Sequence, residues 1–215
     1  MTILPIRIWG DPVLHTRAHE VTEITDEIRT LVANMIETMK EAPGVGLAAP
    51  QVGEGLRIFV WNYEGGHQWD RRLPVEERPG PSHGVVINPD LELFDLPDRE
   101  VDPATEMEGC LSLPGLQYPV LRYQKAVLTG TDVEGQPIRI EAVGWLARIF
   151  QHEYDHLNGT LYVQRLTGQW EERARAAMAE ADFQGGHWVP GEEEEEPRPR
   201  IVRRLRDRAR QLKRR

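Results

Sequence analysis

Residues 151–159 read Gln-His-Glu-Tyr-Asp-His-Leu-Asn-Gly and contain the pattern H-E-x-x-H. On a helix, residues four apart lie one above the other, so His152 and His156 would aim their imidazoles at a common point. Glu153 follows the first histidine and would reach the open side of an ion held there. That is the arrangement of metal-activated hydrolysis with a carboxylate base. Trp145, Ile149, His152 and His156 share one helical face, and Gly159 supplies a stop signal.

Two histidines do not complete a catalytic metal site, which usually has three protein ligands and an open position. In the extended zinc-protease pattern the third histidine would fall at residue 162, which is Tyr162. A glutamate ligand could come from Glu171 or Glu172, but neither has a distinguishing context. The residues alone leave the third ligand open, with the better candidate upstream.

The elements that must position this helix follow from patterning. Thr25 is placed to cap a helix in which Asp26 and Glu27 suit the positive end and Ile28, Leu31, Val32, Met35, Ile36 and Met39 form an apolar stripe. It should stop before Pro43-Gly44. Residues 44–51, Gly-Val-Gly-Leu-Ala-Ala-Pro-Gln, set small residues beside an amide, which lets backbone approach a ligand closely. Residues 58–61 and 85–89 read as strands, the second ending in a turn at Asn88-Pro89, with a further strand at 91–94. Residues 62–84 read as a surface loop. Residues 118–140 read as a hairpin turning at 132–135 and feeding the histidine helix. After that helix, 160–163 read as a last strand and 169–183 as a charged helix ended by Gly185-Gly186.

Three stretches, Gly44 to Gln51, Glu108-Gly109-Cys110-Leu111-Ser112, and Gln151 to His156, together resemble the signature motifs of peptide deformylases, in the family's order. The resemblance runs from about residue 1 to residue 168. It implies an α+β fold with antiparallel sheets around the central H-E-x-x-H helix. It also implies removal of the formyl group from the N-terminal methionine of new polypeptides. It supplies the missing ligand: Cys110, His152 and His156 would hold one divalent ion, most often ferrous iron, with zinc also suited to these donors. Glu153 would take a proton from the attacking water and pass it to the departing amine. Gln51 and the backbone N–H of Leu111 would stabilise the oxyanion. Gly46 would offer backbone contact to the substrate, and Val45, Trp145 and Ile149 are candidates for the wall of an apolar pocket for the methionine side chain. Arg148 has no assigned role. A zinc endopeptidase and an inactive ribosome-binding homologue are the competing readings.

Composition bounds the rest. The 215 residues carry a net charge of -9, but residues 198–215 hold nine Arg and one Lys against one Asp, a net of +9 that leaves -18 on the remainder. An acidic body disfavours DNA, whereas a basic tail suits contact with phosphates; the resemblance to deformylases implies that these would be those of ribosomal RNA. The expected organisation is a catalytic domain over 1–168, a C-terminal helix over 169–188 and a disordered acidic-then-basic tail over 189–215. The single cysteine, Cys110, precludes an internal disulfide, and no apolar run approaches membrane-spanning length. A cytoplasmic location is expected.

Overall fold

The apolar run Ile58-Phe59-Val60-Trp61 is buried on both faces, and this decides the architecture. In the computed structural model, which describes residues 2–42, 44–181 and 183–191, the elements in order are β1 (Ile6–Arg7), α1 (Asp26–Glu41), β2 (Gly46–Ala48), β3 (Ile58–Tyr63) and β4 (Ser82–Phe94). They continue with β5 (Met107–Gly109), β6 (Gln117–Pro119), β7 (Lys125–Thr131), β8 (Pro137–Val143), α2 (Gly144–Leu157), α3 (Gln169–Ala181) and β9 (His187–Trp188). Strands β2-β3-β4-β7-β8 form one antiparallel sheet in that order; β5 pairs with β6, and β1 with β9. The fold is the expected α+β.

Phe59, Trp61 and Tyr63 pack with Leu146, Ile149 and Phe150 of α2, while Ile58 and Val60 pack with Val32, Met35 and Met39 of α1. Successive residues of a strand point to opposite faces, so the two helices cover opposite sides of β3. Helix α1 begins as its sequence predicts, with the Thr25 hydroxyl accepting from the Ile28 N–H at 3.5 Å.

Several local expectations are corrected. Asn88-Pro89 does not end a strand: β4 runs through it, with Asn88 at φ 52 and a register shift against β7 between Ile87 and Asp90. A bulge bends a strand and takes the residues that otherwise mark turns. Residues 160–163 include no strand; Tyr162–Arg165 form a 3-10 turn. The 62–84 stretch is not a plain surface loop, because it holds the end of β3, two 3-10 turns and the start of β4, and it buries Trp69 and Asp70. The C-terminal helix is confined to Gln169–Ala181, and the chain then returns as β9. The charged tail from 192 onward lies outside the described residues.

Helix α2 is held at both ends by distant charges. Its N-cap, Val143, offers no side-chain bond; instead the Asp70 carboxylate accepts from the Trp145 N–H at 2.8 Å. Gly144, at φ +60, leaves the room, since a Cβ there would overlap Asp70 Oδ1. At the other end Arg57 donates to the Leu157 carbonyl at 3.4 Å and to Asn158 Oδ1 at 3.2 Å. Both charges have the sign that the helix dipole favours.

Candidate metal centre

The loop after β5 and one face of α2 bring Cys110, His152 and His156 together, with their ligand atoms within 4.8 Å of one another. Cys110 Sγ lies 3.2 Å from His156 Nε2. The 41 residues between Cys110 and His152 are spanned by β6 and the β7–β8 hairpin, which delivers the chain directly into α2. Burial, followed by the charge of His152, pushes His156 well below the ordinary histidine value. One thiol and two imidazoles are the donor set of ferrous iron or zinc.

The other weighed ligands lie apart from this group. Glu171 and Glu172 are exposed in the first turn of α3, where Glu171 pairs with Arg175. Tyr162 is buried, donates to the Leu116 carbonyl at 2.9 Å, and lays its ring 6.1 Å from that of His152. It is a wall beside the histidine.

Glu153 is 3% exposed, and burial raises its pKa to about 7. Its Oε2 has no hydrogen-bond partner among the described residues. The side chain lies against β2: a Cβ on Gly46 would sit 2.7 Å from Glu153 Cδ and 2.8 Å from Cγ. Gly46 therefore makes room for the carboxylate.

Gln51 is equally fixed. Its Oε1 accepts from the Ala48 N–H at 2.9 Å, which turns Nε2 toward Ser112 Oγ at 3.3 Å and Cys110 Sγ at 3.5 Å. The donor end of the amide thus faces the thiol. Leu111, whose N–H belongs to the peptide that follows Cys110, packs against the α1 side of the sheet.

Behind the histidines lies a buried ionic network. Glu108 Oε2 meets His152 Nδ1 at 3.1 Å and Arg122 at 2.9 Å, while Oε1 receives Arg122 at 2.9 Å and Arg148 at 2.6 Å. Arg122 also pairs with Asp155 at 2.6 Å, as does Arg165. Burial alone would raise the Glu108 pKa, but Arg122, His152 and Arg148 hold it well below the usual carboxylate value. Arg148 is therefore a buried partner of Glu108. Sequence reasoning could have singled out Glu108, which stands two residues before Cys110; Arg122 and Asp155 carry no local pattern.

The expected pocket residues divide. Val45 is 45% exposed, immediately before β2. Trp145 is half-buried, stacked on His67 at 3.7 Å with Arg148 over its ring at 5.6 Å. Ile149 is 3% exposed, in the core with Phe59 and Phe150.

The family model described as polypeptide deformylase matches residues 3–172. The peptide deformylase of Mycolicibacterium paratuberculosis is 43% identical over 199 residues, covering 89% of this chain and 96% of the relative. That of Rhodococcus opacus is 44% identical over 195 residues, covering 89% and 95%. Among solved structures, the peptide deformylase of Thermus thermophilus superposes with a TM-score of 0.66 at 38% identity, covering 82% of this chain and 93% of its own. The Synechococcus elongatus enzyme in complex with actinonin gives 0.66 at 38% identity, covering 82% and 84%.

Proposed function

This chain belongs to the peptide deformylase family, and from that premise we propose how its residues divide the work. The chain is a metal-dependent hydrolase that removes the formyl group from nascent polypeptides. Cys110, His152 and His156 hold the ion, supported by the convergence of their ligand atoms. A divalent ion bound there supplies the Lewis acidity that eases deprotonation of water and attack on a carbonyl. We assign ferrous iron, as the family resemblance implies.

Glu153 is the general base and then the general acid. The observation that carries this is a buried carboxyl, one residue after the ligand His152 and packed against Gly46, with one oxygen unpartnered among the described residues. A carboxylate held there can accept a proton from water and return it to the leaving amine. Gln51 Nε2 and the Leu111 N–H receive the developing oxyanion, supported by the fixed direction of the Gln51 amide. Gly46 and Val45 of the β2 segment flank the substrate backbone, and Trp145 contributes to the wall around its first side chain. Ile149 backs that wall from the core. The tail contacts the ribosome through RNA phosphates, supported only by its charge. The lone cysteine fits a cytoplasmic setting; among the described residues no helix is long and apolar enough to cross a membrane.

The test is formate release from an N-formylmethionyl peptide by anaerobically prepared protein of known metal content, beside Glu153→Ala at equal metal. The variant should lose about 10²- to 10⁴-fold in kcat, the range for general acid–base catalysis. Equal rates would remove Glu153 from the mechanism.

A further inference from the structure

The chain beyond the family match returns to the site. After α3, the Gly185 N–H donates to the Trp9 carbonyl at 3.1 Å and the Ile8 N–H to the Gly186 carbonyl at 3.1 Å. β9 then pairs with β1, setting Trp188 opposite Ile6 and His187 opposite Arg7. Backbone meets backbone here: Gly10 is at φ +100, and a Cβ on it would lie 2.5 Å from the Gly185 nitrogen. From this position the half-buried Trp188 donates its indole N–H to the Leu111 carbonyl at 3.0 Å.

That bond completes a set. The carbonyl of Cys110 accepts from the Leu113 N–H at 3.0 Å, that of Leu111 from Trp188, and that of Ser112 from the Trp9 N–H at 2.9 Å. Three consecutive peptide planes after the metal-binding thiol are each held from a different part of the chain. The Leu111 side chain is seated as well, because a Cβ on Gly44 would already lie 3.1 Å from its Cδ1. An N–H whose own residue is fixed on both sides has one direction. A donor aimed in advance at the oxyanion is worth more than one that must turn toward it.

We infer that Trp188 is a positioning residue for deformylation: its indole N–H holds the peptide plane that follows Leu111, while the Leu113 N–H holds the plane before it through the Cys110 carbonyl, so that rotation at Leu111 is blocked and its N–H stays aimed at the oxyanion. The inference rests on the assignment of that N–H as an oxyanion donor. Trp188 acts through the Leu111 carbonyl, so its removal should appear in kcat and leave metal and ground-state binding alone.

The experiment uses the full chain with matched metal, an N-formylmethionyl peptide, and Trp188→Phe, which keeps an aromatic ring and removes the donor. The expected result is a kcat lower by on the order of 10-fold, short of the roughly 10²- to 10³-fold cost of losing a donor outright. KM, metal per chain and melting temperature should be unchanged. Trp188→His, whose ring N–H can still donate, should retain more of kcat. An unchanged kcat in Trp188→Phe overturns the inference, and so does a fall that tracks lost metal or a lowered melting temperature. Gln51→Ala, measured alongside, separates the two readings. If it lowers kcat while Trp188→Phe does not, only the role of Trp188 falls; if neither lowers kcat, the oxyanion assignment falls too.

Discussion

His152 Nδ1 lies 3.1 Å from Glu108 Oε2, on a carboxylate that also receives Arg122 and Arg148. The contact fixes which ring nitrogen is left for metal, and the two arginines keep the carboxylate ionised. Glu108→Gln retains the shape but removes one of two counter-charges from each of two buried guanidinium groups, leaving Asp155 to Arg122 and Glu106 to Arg148. Metal affinity should fall about 10- to 100-fold, the usual cost of losing such a partner. Competition against a graded chelator measures it; unchanged retention would mean that the ring is held by packing alone.

Gly46→Ala should be nearly as damaging to turnover as a change in Glu153 itself. The added methyl would overlap the Glu153 carboxylate and drive it off β2. We expect kcat to drop on the order of 100-fold, since displacement of a catalytic group by about 1 Å has that effect. Metal content should stay at the parental level, because none of Cys110, His152 and His156 is displaced. A variant with parental kcat would show that the carboxylate has freedom the packing denies.

Asp70→Ala removes the cap that α2 receives from a distant turn. The loss should cost about 1–2 kcal/mol, the upper part of the range for N-caps. Tyr63, which donates its hydroxyl to the same carboxylate, should couple to it: Tyr63→Phe and Asp70→Ala should destabilise by less together than their separate costs predict. Urea unfolding of the four proteins of the cycle measures this, and strict additivity would mean that the hydroxyl is indifferent to Asp70.

Acid should unfold the protein partly through Glu106. Burial would raise its pKa, yet Arg99, the Asp102 N–H and Arg148 together lower it below the ordinary value. A carboxyl lowered on folding contributes stability that is complete above its unfolded pKa and is lost as pH falls through the folded one. Melting temperature should therefore decline below about pH 4, near the reference value for Glu. Glu106→Gln should flatten that decline without abolishing it, because Glu108 is lowered as well. Parallel curves for parent and variant would exclude Glu106 from the acid transition.

Air should inactivate the native enzyme if it carries iron, because ferrous ion and a thiolate ligand are both oxidisable. Activity should decay on aerobic storage and persist under anaerobic handling, whereas zinc-reconstituted protein should be indifferent to oxygen at the metal. Equal lifetimes of the native enzyme in both atmospheres would count against iron.

The parts of the site that were legible in the sequence are those with a local period or motif. His152, Glu153 and His156 needed only helical spacing, and α1 announced itself through Thr25 and its stripe. Cys110 came from a resemblance, since nothing local links it to residues 42 positions away. What stayed hidden was paired across the chain: Arg148 looked unassigned because its partner, Glu108, arrives from β5, and Asp70 looked like loop because the helix it caps starts 74 residues later. The bulge at Asn88 misled for another reason, since Asn and Pro are residues of turns as well as of bulges.

The pairing of β1 with β9 has a temporal meaning. Strand β1 emerges early in synthesis and finds its partner only after nearly all the described chain has been made, and contacts so distant in sequence are slow to form. The thiol and both histidines can be present on an emerging chain while Trp188 is not, so the metal-binding residues exist before the last of their supports. A newly made molecule of this enzyme would then complete its own active site only once residue 188 had been made and had returned to β1.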